Sequence, residues 1–388
     1  MLLAIAYLLI EKGKNVVLLD PHGNLVEEAL QFDHWKQHPE KLVYLHPTLD
    51  AKFQLGLNPF EASCKTRQDA ERKSARWCYA FLRLLGDQKL SMVMQTLLKP
   101  VLSLLFYAPW ADFETLKDFF IRESTDTRFQ KWVQYAPRHT QAFLNGAFQD
   151  SRYKVTKMAI YTRLQHFMNY GVLQSLFNGS QTLDLTTALW KGKSVLINLS
   201  KTALGHEVSD ILWKLMIANL LGIFFWSKIP KETYLIVDEA HLIADESLQS
   251  ILTEARKRGL FFIWASQSIS QFEASLRQRL QTNIGVFLLG RHYDQNNNAF
   301  LRAISIDKSK LLSLKPYRFL VKTEESSVIE LPSPKRLLGK CHRMIPSKKH
   351  YKALVEKQLK QFYKRLDDNN TPKVSENLNE GKTLRPKF

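Results

Sequence analysis

Short apolar runs alternate with helix-like segments along this sequence, and this alternation limits the folds that it can adopt. An uninterrupted apolar run of roughly four to eight residues, bounded by turn residues, is typical of a strand buried on both faces of a sheet. One such run covers residues 15–20 and ends in Asp20, and a second covers residues 41–45. Strands that alternate with helices predict an α/β fold, in which helices cover both faces of a sheet.

A long segment of different composition interrupts this alternation. Between residues 63 and 178, runs of Val and Ile disappear, and Leu, Phe, Ala, Gln, Lys and Arg dominate. Within it Trp77, Phe81 and Leu84 fall at helical spacing. The strand-like runs then resume at residues 194–199, 233–238, 260–265, 284–289, 318–322 and 327–331. We therefore predict an all-α domain that is inserted between two parts of an α/β domain.

The chain is strongly basic, with a formal net charge of +18 and a pI near 9.6. Residues 333–388 hold 15 Lys and Arg against 5 Asp and Glu. In this tail Tyr351, Leu354 and Leu359 mark one face of an amphipathic helix, whereas the stretch from Asp367 onward has little to bury and is expected to be disordered. The charge indicates a polyanionic partner, and for the tail DNA, anionic lipid and a merely solvated surface all remain open.

Composition excludes several classes of protein. With 45% apolar residues the chain is neither disordered nor collagen-like. Its three cysteines offer no even disulfide set, which favours a reducing compartment. The apolar residues 1–10 are too few to span a bilayer, which needs roughly 20. Residues 212–226 are also short and contain Lys214, so we predict that they form a buried core helix.

The sharpest chemical signal is a pair of carboxylates at the end of one predicted strand. Asp238 and Glu239 directly follow the apolar residues 234–237. In open α/β sheets, ligands bind at the carboxyl ends of the strands. Two adjacent acids there suit nucleoside triphosphate hydrolysis, because one can hold Mg²⁺ through water while the other polarises the attacking water. The competing interpretation is a strand that simply ends in a polar turn.

An amide and two arginines accompany these acids. Gln267 follows the next predicted strand, where its amide can hydrogen-bond a γ-phosphate or the attacking water. Arg256 and Arg258 stand at the end of a helix predicted over residues 248–255. Because cations at a helix C-terminus interact favourably with the helix dipole, these arginines are either structural or contact a phosphate across a subunit interface.

Six short blocks follow one another along residues 1–331. They are VVLLDPHGNL at 16–25, GLNPF at 56–60, GKSVLINLS at 192–200, LIVDEAH at 235–241, EARKRGL at 254–260 and ASQSISQ at 265–271. In this order the blocks resemble the TraG/TraD-type coupling proteins of conjugation and type IV secretion, within the HerA/FtsK group of DNA-pumping P-loop ATPases. The resemblance extends to the helical insertion, where that family carries its all-α domain.

The resemblance implies a RecA-like core that uses ATP and Mg²⁺ and assembles into a hexameric ring. It further implies that the ring moves double-stranded DNA, or a relaxase–DNA complex, in contact with type IV secretion components. By position, Asp238 matches the second nucleotide motif and would hold Mg²⁺ through water. Glu239 matches the catalytic carboxylate and Gln267 the sensor. A cytoplasmic location, including the inner face of the cytoplasmic membrane, is the expectation for such a protein.

The remaining site candidates and the domain limits follow from the same resemblance. Asp20 and Arg291 are candidates for nucleotide or Mg²⁺ binding, and Arg256 and Arg258 for an arginine finger. We divide the chain into a first part of the RecA-like domain, the inserted all-α domain, a second part with the acidic motif and sensor, and a basic helical or disordered tail, at residues 1–62, 63–178, 179–332 and 333–388.

The phosphate-binding loop of the family, G-x-x-x-x-G-K-[ST], has no counterpart in the sequence. Such a loop supplies backbone N–H groups and a lysine to the phosphates, and in the family it directly precedes the helix that stands here at residues 2–10. The nearest match begins at Gly192, but Thr187 replaces the first glycine and Ser194 begins a strand. We therefore expect an N-terminally truncated or incomplete RecA-like domain that neither binds ATP tightly nor hydrolyses it alone.

Three origins of such a chain remain open: a start codon assigned too late, a broken gene, or a missing half supplied by another chain. The missing part would include a strand from the centre of the sheet. Its loss should leave buried backbone groups of the neighbouring strands unpaired, at about 1–3 kcal/mol each.

Two other functions remain open as well. Residues 238–241 spell DEAH, the box of superfamily 2 helicases, but no later Q-x-x-G-R-x-G-R run occurs. A non-catalytic protein that binds nucleic acid or a partner through its basic tail would bind DNA in a salt-sensitive way that ignores sequence. The scattered histidines and cysteines predict no structural metal site.

Overall fold

The computed structural model describes residues 1–60, 64, 66–84, 92–108, 111–178, 183–227, 229–242, 255–291, 298–323, 327–334 and 348–366. The strands are β1 (Asn15–Asp20), β2 (Leu42–Leu45), β3 (Phe53–Leu55), β4 (Ser194–Asn198), β5 (Thr233–Val237), β6 (Leu260–Trp264), β7 (Val286–Gly290), β8 (Arg318–Thr323), β9 (Ile329–Pro332) and β10 (Tyr363–Arg365). The predicted helix over 248–255 falls almost wholly outside the described residues, as does the stretch from 367 onward.

The described α-helices alternate with these strands or lie between β3 and β4. They are α1 (Leu2–Glu11), α2 (Asn24–Ala29), α3 (His34–Gln37), α4 (Arg67–Leu84), α5 (Met92–Leu105), α6 (Phe113–Phe119), α7 (Thr127–Val133), α8 (Arg138–Asn145), α9 (Lys154–Met168), α10 (Gly171–Asn178), α11 (Leu185–Trp190), α12 (Lys201–Leu204), α13 (His206–Trp226), α14 (Ala274–Asn283), α15 (Asn298–Ala303), α16 (Lys308–Leu312) and α17 (Lys348–Phe362).

Five parallel strands form the central sheet, in the order β2-β4-β1-β5-β6. Every residue of β1, β2 and β4 is buried. Helices cover both faces of the sheet, so both sets of side chains on these strands are buried. For this reason the strand sequences are continuously apolar rather than alternating. The parallel α/β sheet predicted from the sequence is confirmed.

Successive side chains of each central strand enter two different cores. Val17 and Leu19 of β1 pack with α13 and the helices between β3 and β4. Val16 and Leu18 pack on the opposite face with α1, α2 and α17. The two-residue period of a strand thus divides one apolar run between two helical layers.

The residues described between β3 and β4 are helical or lie in turns. Asp112 caps α6 by accepting a hydrogen bond from the backbone N–H of Thr115 at 2.7 Å. Phe113 lies at the centre of a group of aromatic rings and stacks on Phe167, with ring centroids 4.9 Å apart. The apolar core of these helices is continuous with the core on one face of the sheet, because α4 packs along α13.

The apolar helix expected to be part of the core is α13. Its residues between Leu212 and Phe224 are almost all buried. Among the described parts of the chain, α13 alone has the length and apolarity needed to cross a membrane, and 78% of its apolar stretch is covered by other residues. Burial of this kind is typical of a core helix.

The strand predicted over residues 284–289 is present as β7, which lies outside the central sheet. β7 pairs antiparallel with β8, which pairs antiparallel with β9, in a separate three-stranded sheet. Its side chains are partly exposed, with Val286 at 55% exposure. An apolar run does not by itself specify its partner, so the sheet that the strand predicted over residues 284–289 joins could not be derived from the sequence.

The two edges of the central sheet differ. At β2, the buried side chain of Gln358 in α17 accepts a hydrogen bond from Tyr44 N at 2.9 Å and donates to Leu42 O at 3.3 Å. The hydroxyl of Tyr363 accepts from His46 N at 3.0 Å, and β10 pairs with β3. The five strands pair without a gap, and among the described residues no strand covers the outer edge of β6.

Candidate active site

The turn after β5 forms backbone hydrogen bonds with both neighbouring strands. Asp238 N donates to Leu19 O of β1 at 3.3 Å, and Ala240 N donates to Ala265 O, just beyond β6, at 2.8 Å. Both predicted carboxylates therefore lie at the carboxyl edge of the parallel sheet, where its topology leads us to expect a ligand.

Glu239 occupies an unusual position within this turn. Its backbone φ is +51°, in the left-handed region that residues other than glycine seldom adopt. Its side chain is only 12% exposed. Oε1 accepts a hydrogen bond from Nε2 of Gln267 at 2.8 Å, whereas Oε2 lies 3.3 Å from Nδ1 of His241 without forming a hydrogen bond. The fold thus brings Glu239 and Gln267 into direct contact and leaves one carboxylate oxygen without a partner.

Asp238 is the second carboxylate of this edge. Its Oδ1 accepts a hydrogen bond from the backbone N–H of Glu239 at 3.1 Å. Burial raises the pKa of Asp238, and the nearby charges of Asp20 and Glu239 raise it further, while the Glu239 N–H and His22 act in the opposite direction. A cation at this position would offset both the burial and the repulsion between the carboxylates.

Asp20 ends β1 next to this pair, but both of its oxygens serve the following turn. Oδ1 accepts from His22 N at 2.8 Å and Oδ2 accepts from Leu25 N at 2.6 Å. The buried carboxylate therefore fixes the turn that leads into α2. Gly23 completes this turn at φ +86°, and a Cβ there would lie 2.8 Å from Oδ1 of Asn198.

Asn198 is a residue of this edge that sequence reasoning did not select. It ends β4 and lies beside Asp20 in the strand register. Its Oδ1 accepts from Ser200 N at 3.1 Å, and its Nδ2 donates to the hydroxyl of Tyr44 at 3.4 Å. The signal was available, because Asn198 follows an apolar run in the same way as Asp20 and Asp238 do. His241 was likewise passed over, although it stands in the same motif as Glu239.

The amino end of α1 also lies at this edge. Burial lowers the pKa of the Met1 amino group, and the nearby carboxylates of Glu28 and Asp238 partly oppose that shift. The N-terminal N–H groups of a helix carry partial positive charge. Positive groups therefore lie close to the acidic ones at this end of the sheet.

The three candidate arginines lie apart from the carboxylates in this chain. Arg256 and Arg258 are exposed and immediately precede β6, at the amino end of the strand whose carboxyl end leads to Gln267. Arg258 donates to Phe225 O at the end of α13 at 2.8 Å, and its guanidinium lies 5.2 Å from the Phe225 ring. Arg291 is exposed just after β7, in the separate sheet. A role of Arg256 or Arg258 in a neighbouring subunit stays a prediction, as does the role of Arg291.

The carboxylates fit the Mg²⁺ and water side of a nucleotide site. Among the described residues no group of three or more His, Cys, Asp or Glu side chains is arranged to hold a metal ion directly. Asp238 is a half-buried carboxylate, and such an oxygen ligand suits a Mg²⁺ ion that keeps most of its waters. No lysine in a glycine-rich loop accompanies it in the sequence.

Comparisons with known proteins were made by family, by sequence and by structure. No family model and no curated protein matches the chain. Among solved structures, the unbound bacterial conjugative coupling protein TrwB is similar with a TM-score of 0.57 and 14% identity, over 84% of this chain and 79% of that one. TrwB in complex with the non-hydrolysable GTP analogue GDPNP gives a TM-score of 0.58 and 16% identity, over 84% and 80%.

VirB4 of Thermoanaerobacter pseudethanolicus is similar as well, with a TM-score of 0.52 and 15% identity over 86% of each chain. At such identities the likeness concerns the fold. It agrees with the central parallel sheet and with the many helices around it. The chain therefore has the P-loop NTPase-like α/β fold found in the conjugative coupling protein TrwB and in VirB4.

Proposed function

We propose that the chain is an ATPase-like subunit of a DNA-translocating machine of conjugation or type IV secretion. The observation that carries the proposal is the contact between Glu239 and Gln267 beside Asp238, at the carboxyl edge of a sheet whose fold resembles that of TrwB. A TrwB structure contains ADP and Mg²⁺. We infer that Mg²⁺ and ATP belong to the same edge here.

Each side chain has a separate part in this proposal. Bound Mg²⁺·ATP would supply the γ-phosphoryl group and the charge that stabilises its transfer to water. Asp238 would hold the ion through water. Oε2 of Glu239 has no hydrogen-bond partner, so it is the atom that would accept the proton of the attacking water. Gln267 would fix the position of Glu239 through Oε1 and sense the nucleotide.

The proposal includes an assembly and a partner. Basic subunits that neutralise phosphates bind DNA without regard to sequence, and the net charge of +18 suits that role. We propose a hexameric ring that acts on double-stranded DNA, or on a relaxase–DNA complex, together with type IV secretion components. Its place would be the cytoplasm, at the inner face of the membrane.

The nucleotide part is tested by ATP turnover with Mg²⁺, with and without duplex DNA. Because the sequence has no G-x-x-x-x-G-K-[ST] loop, we expect the 388-residue chain alone to show no turnover that depends on Glu239. Wild type, Glu239→Gln and the exposed control Glu123→Gln should therefore give equal background rates. Turnover that Glu239→Gln abolishes and Glu123→Gln preserves would contradict the expected inactivity while supporting the catalytic role.

The DNA part is tested separately by fluorescence anisotropy with a labelled duplex. We expect binding whose log affinity falls linearly with log salt concentration, with a slope of about −0.9 for each phosphate neutralised. Mass measurement of the complex should give a ring of several subunits. A chain that binds no duplex at low salt would rule out the proposed translocase.

The alternative is a non-catalytic protein that binds nucleic acid or a partner. The sequence contains no phosphate-binding loop, and this favours the non-catalytic alternative. Without such a loop the carboxylate edge offers few groups to the β- and γ-phosphates. The two functions differ in their response to nucleotide. If ATP and Mg²⁺ change neither the DNA affinity nor the assembly, in isolation or with a partner chain, the binding role is the better description.

A further inference from the structure

A cavity lies among the helices, away from the carboxylate edge. Its volume is about 520 Å³, and it is lined by residues of α4, α11 and the C-terminal half of α13. Because α13 starts after the carboxyl end of β4 and returns toward the start of β5, this half of the helix lies toward the amino ends of the strands. The cavity is therefore at the opposite end of the sheet from Asp238.

Arg76 is the residue around which the cavity is arranged. Its stem crosses α13 at Gly222, where a Cβ would lie only 2.1 Å from Cγ of Arg76. A glycine inside a helix weakens it, so Gly222 gives room to Arg76 at a cost to the helix. One terminal nitrogen of Arg76 donates to Oγ1 of Thr186 at 3.1 Å. The side chain is thus held in place from two directions.

Arg76 is half-buried, and no carboxylate of the described residues is bonded to its guanidinium. Burial lowers the pKa of Arg76 to about 10, with Asp184 acting against that shift. The oxygens of Asp184 instead accept from Thr186 N at 2.9 Å and from Oγ1 of Thr187 at 2.6 Å. Nε of Arg76 is buried and has no hydrogen-bond partner. A charged group with a buried, unpaired N–H is stabilised when an anion and further hydrogen bonds are supplied.

Two further buried polar atoms on the cavity lining have no partner. Trp77 is 2% exposed and its Nε1–H is unpaired, while Asn219 is 7% exposed and its Oδ1 is unpaired. Buried polar groups are normally hydrogen-bonded, so unpaired ones that share a cavity require an explanation. The residues that carry these unpaired atoms, Arg76, Trp77 and Asn219, all line the cavity.

We propose that this cavity binds the phosphate group of a small molecule, with Arg76 as the cation and Trp77 as a second donor. Phosphate offers several acceptor oxygens to such donors, and a protonated phosphate oxygen can donate to Asn219. Arg72 also lines the cavity, and its exposed side chain adds positive charge there. The burial of Trp77 and Asn219 keeps these atoms out of reach of the backbone of a DNA duplex. The inference does not depend on the proposed ATPase-like role.

Titration calorimetry with the 388-residue chain tests this site. Inorganic phosphate and AMP are titrated separately, without Mg²⁺ and at fixed ionic strength, and a duplex oligonucleotide forms the third arm. We expect saturable one-to-one binding of phosphate, or of AMP, that weakens at least tenfold in Arg76→Gln. The exposed control Arg128→Gln should bind as wild type does. AMP binding that persists in Asp238→Asn would place the ligand away from the carboxylate edge.

A second measurement does not depend on the heat of binding. Millimolar phosphate should raise the thermal unfolding midpoint of wild type and of Arg128→Gln, but not that of Arg76→Gln. Trp77→Phe, which keeps the ring and removes the N–H, should weaken binding severalfold. The inference is overturned if neither phosphate nor AMP binds, if Arg76→Gln and Trp77→Phe bind as wild type does, or if only the duplex binds.

Discussion

Gln358 provides the most direct test of how the C-terminal helix stabilises the sheet. Its side chain is completely buried and bonds to Tyr44 N at 2.9 Å and to Leu42 O at 3.3 Å. The substitution Gln358→Leu keeps the approximate size of the side chain and removes both hydrogen bonds. The variant leaves one backbone donor and one acceptor of β2 unpaired in a buried place.

The magnitude follows from these two groups. An unpaired buried N–H costs about 1–3 kcal/mol and an unpaired carbonyl about 1 kcal/mol. The additional apolar surface of leucine returns about 1 kcal/mol when it is buried. We therefore expect Gln358→Leu to lower the free energy of unfolding by about 1–3 kcal/mol.

The assay is urea unfolding followed by circular dichroism, with the difference taken from the shift in midpoint at constant slope. Gln361→Leu is the matched control, because Gln361 is exposed one turn further along α17. Its free energy of unfolding should remain within about 0.5 kcal/mol of wild type. If Gln358→Leu unfolds at the same urea concentration as Gln361→Leu, α17 does not cover the β2 edge and our description of that edge is wrong.

Three further predictions concern single residues. Asp112→Ala removes the cap of α6 and should cost about 1 kcal/mol in urea unfolding, and an unchanged midpoint would argue against the cap. Gly23→Ala should destabilise the chain by more than about 1 kcal/mol, because φ is +86° and the Cβ would meet Asn198; a stabilising effect would contradict the geometry. The pKa of Asp238 is raised in the folded chain. The protonated carboxyl group therefore contributes fully to stability at a pH below its ordinary pKa, and this contribution is lost as the pH rises through the pKa of the folded state. Asp238→Asn should therefore be at least as stable as wild type at pH 7, with its relative advantage vanishing in acid, and a variant that is less stable at pH 7 would refute the shift.

The carboxylate edge was accessible to sequence reasoning because strand direction is encoded locally. An apolar run that ends in an acid places that acid at the carboxyl end of a strand, and parallel strands bring such ends together. Asp238 and Gln267 could be placed at one edge for this reason. Asn198 obeyed the same pattern and was missed only because an amide after a strand is a weaker chemical signal than two acids.

Contacts between distant segments could not be read in the same way. The hydrogen bond between Gln267 and Glu239 depends on the turn after β5, where φ at Glu239 is +51°. Arg258 was predicted to serve a helix end or a phosphate, and its guanidinium donates to Phe225 O at the end of α13. Neither partner is close in sequence, so no local pattern could identify it.

The parallel sheet, the helical segment between its strands and the acids at its carboxyl edge could all be predicted from the amino-acid sequence. The reason is that strands and helices each impose a characteristic spacing on neighbouring apolar residues. Packing of distant segments places β7 in a separate sheet, Gln358 at the edge of β2, and the stem of Arg76 across Gly222. These outcomes depend on which surfaces meet when the chain packs. Burial and hydrogen-bond pairing across long sequence separations set that choice, and such terms have no local signature.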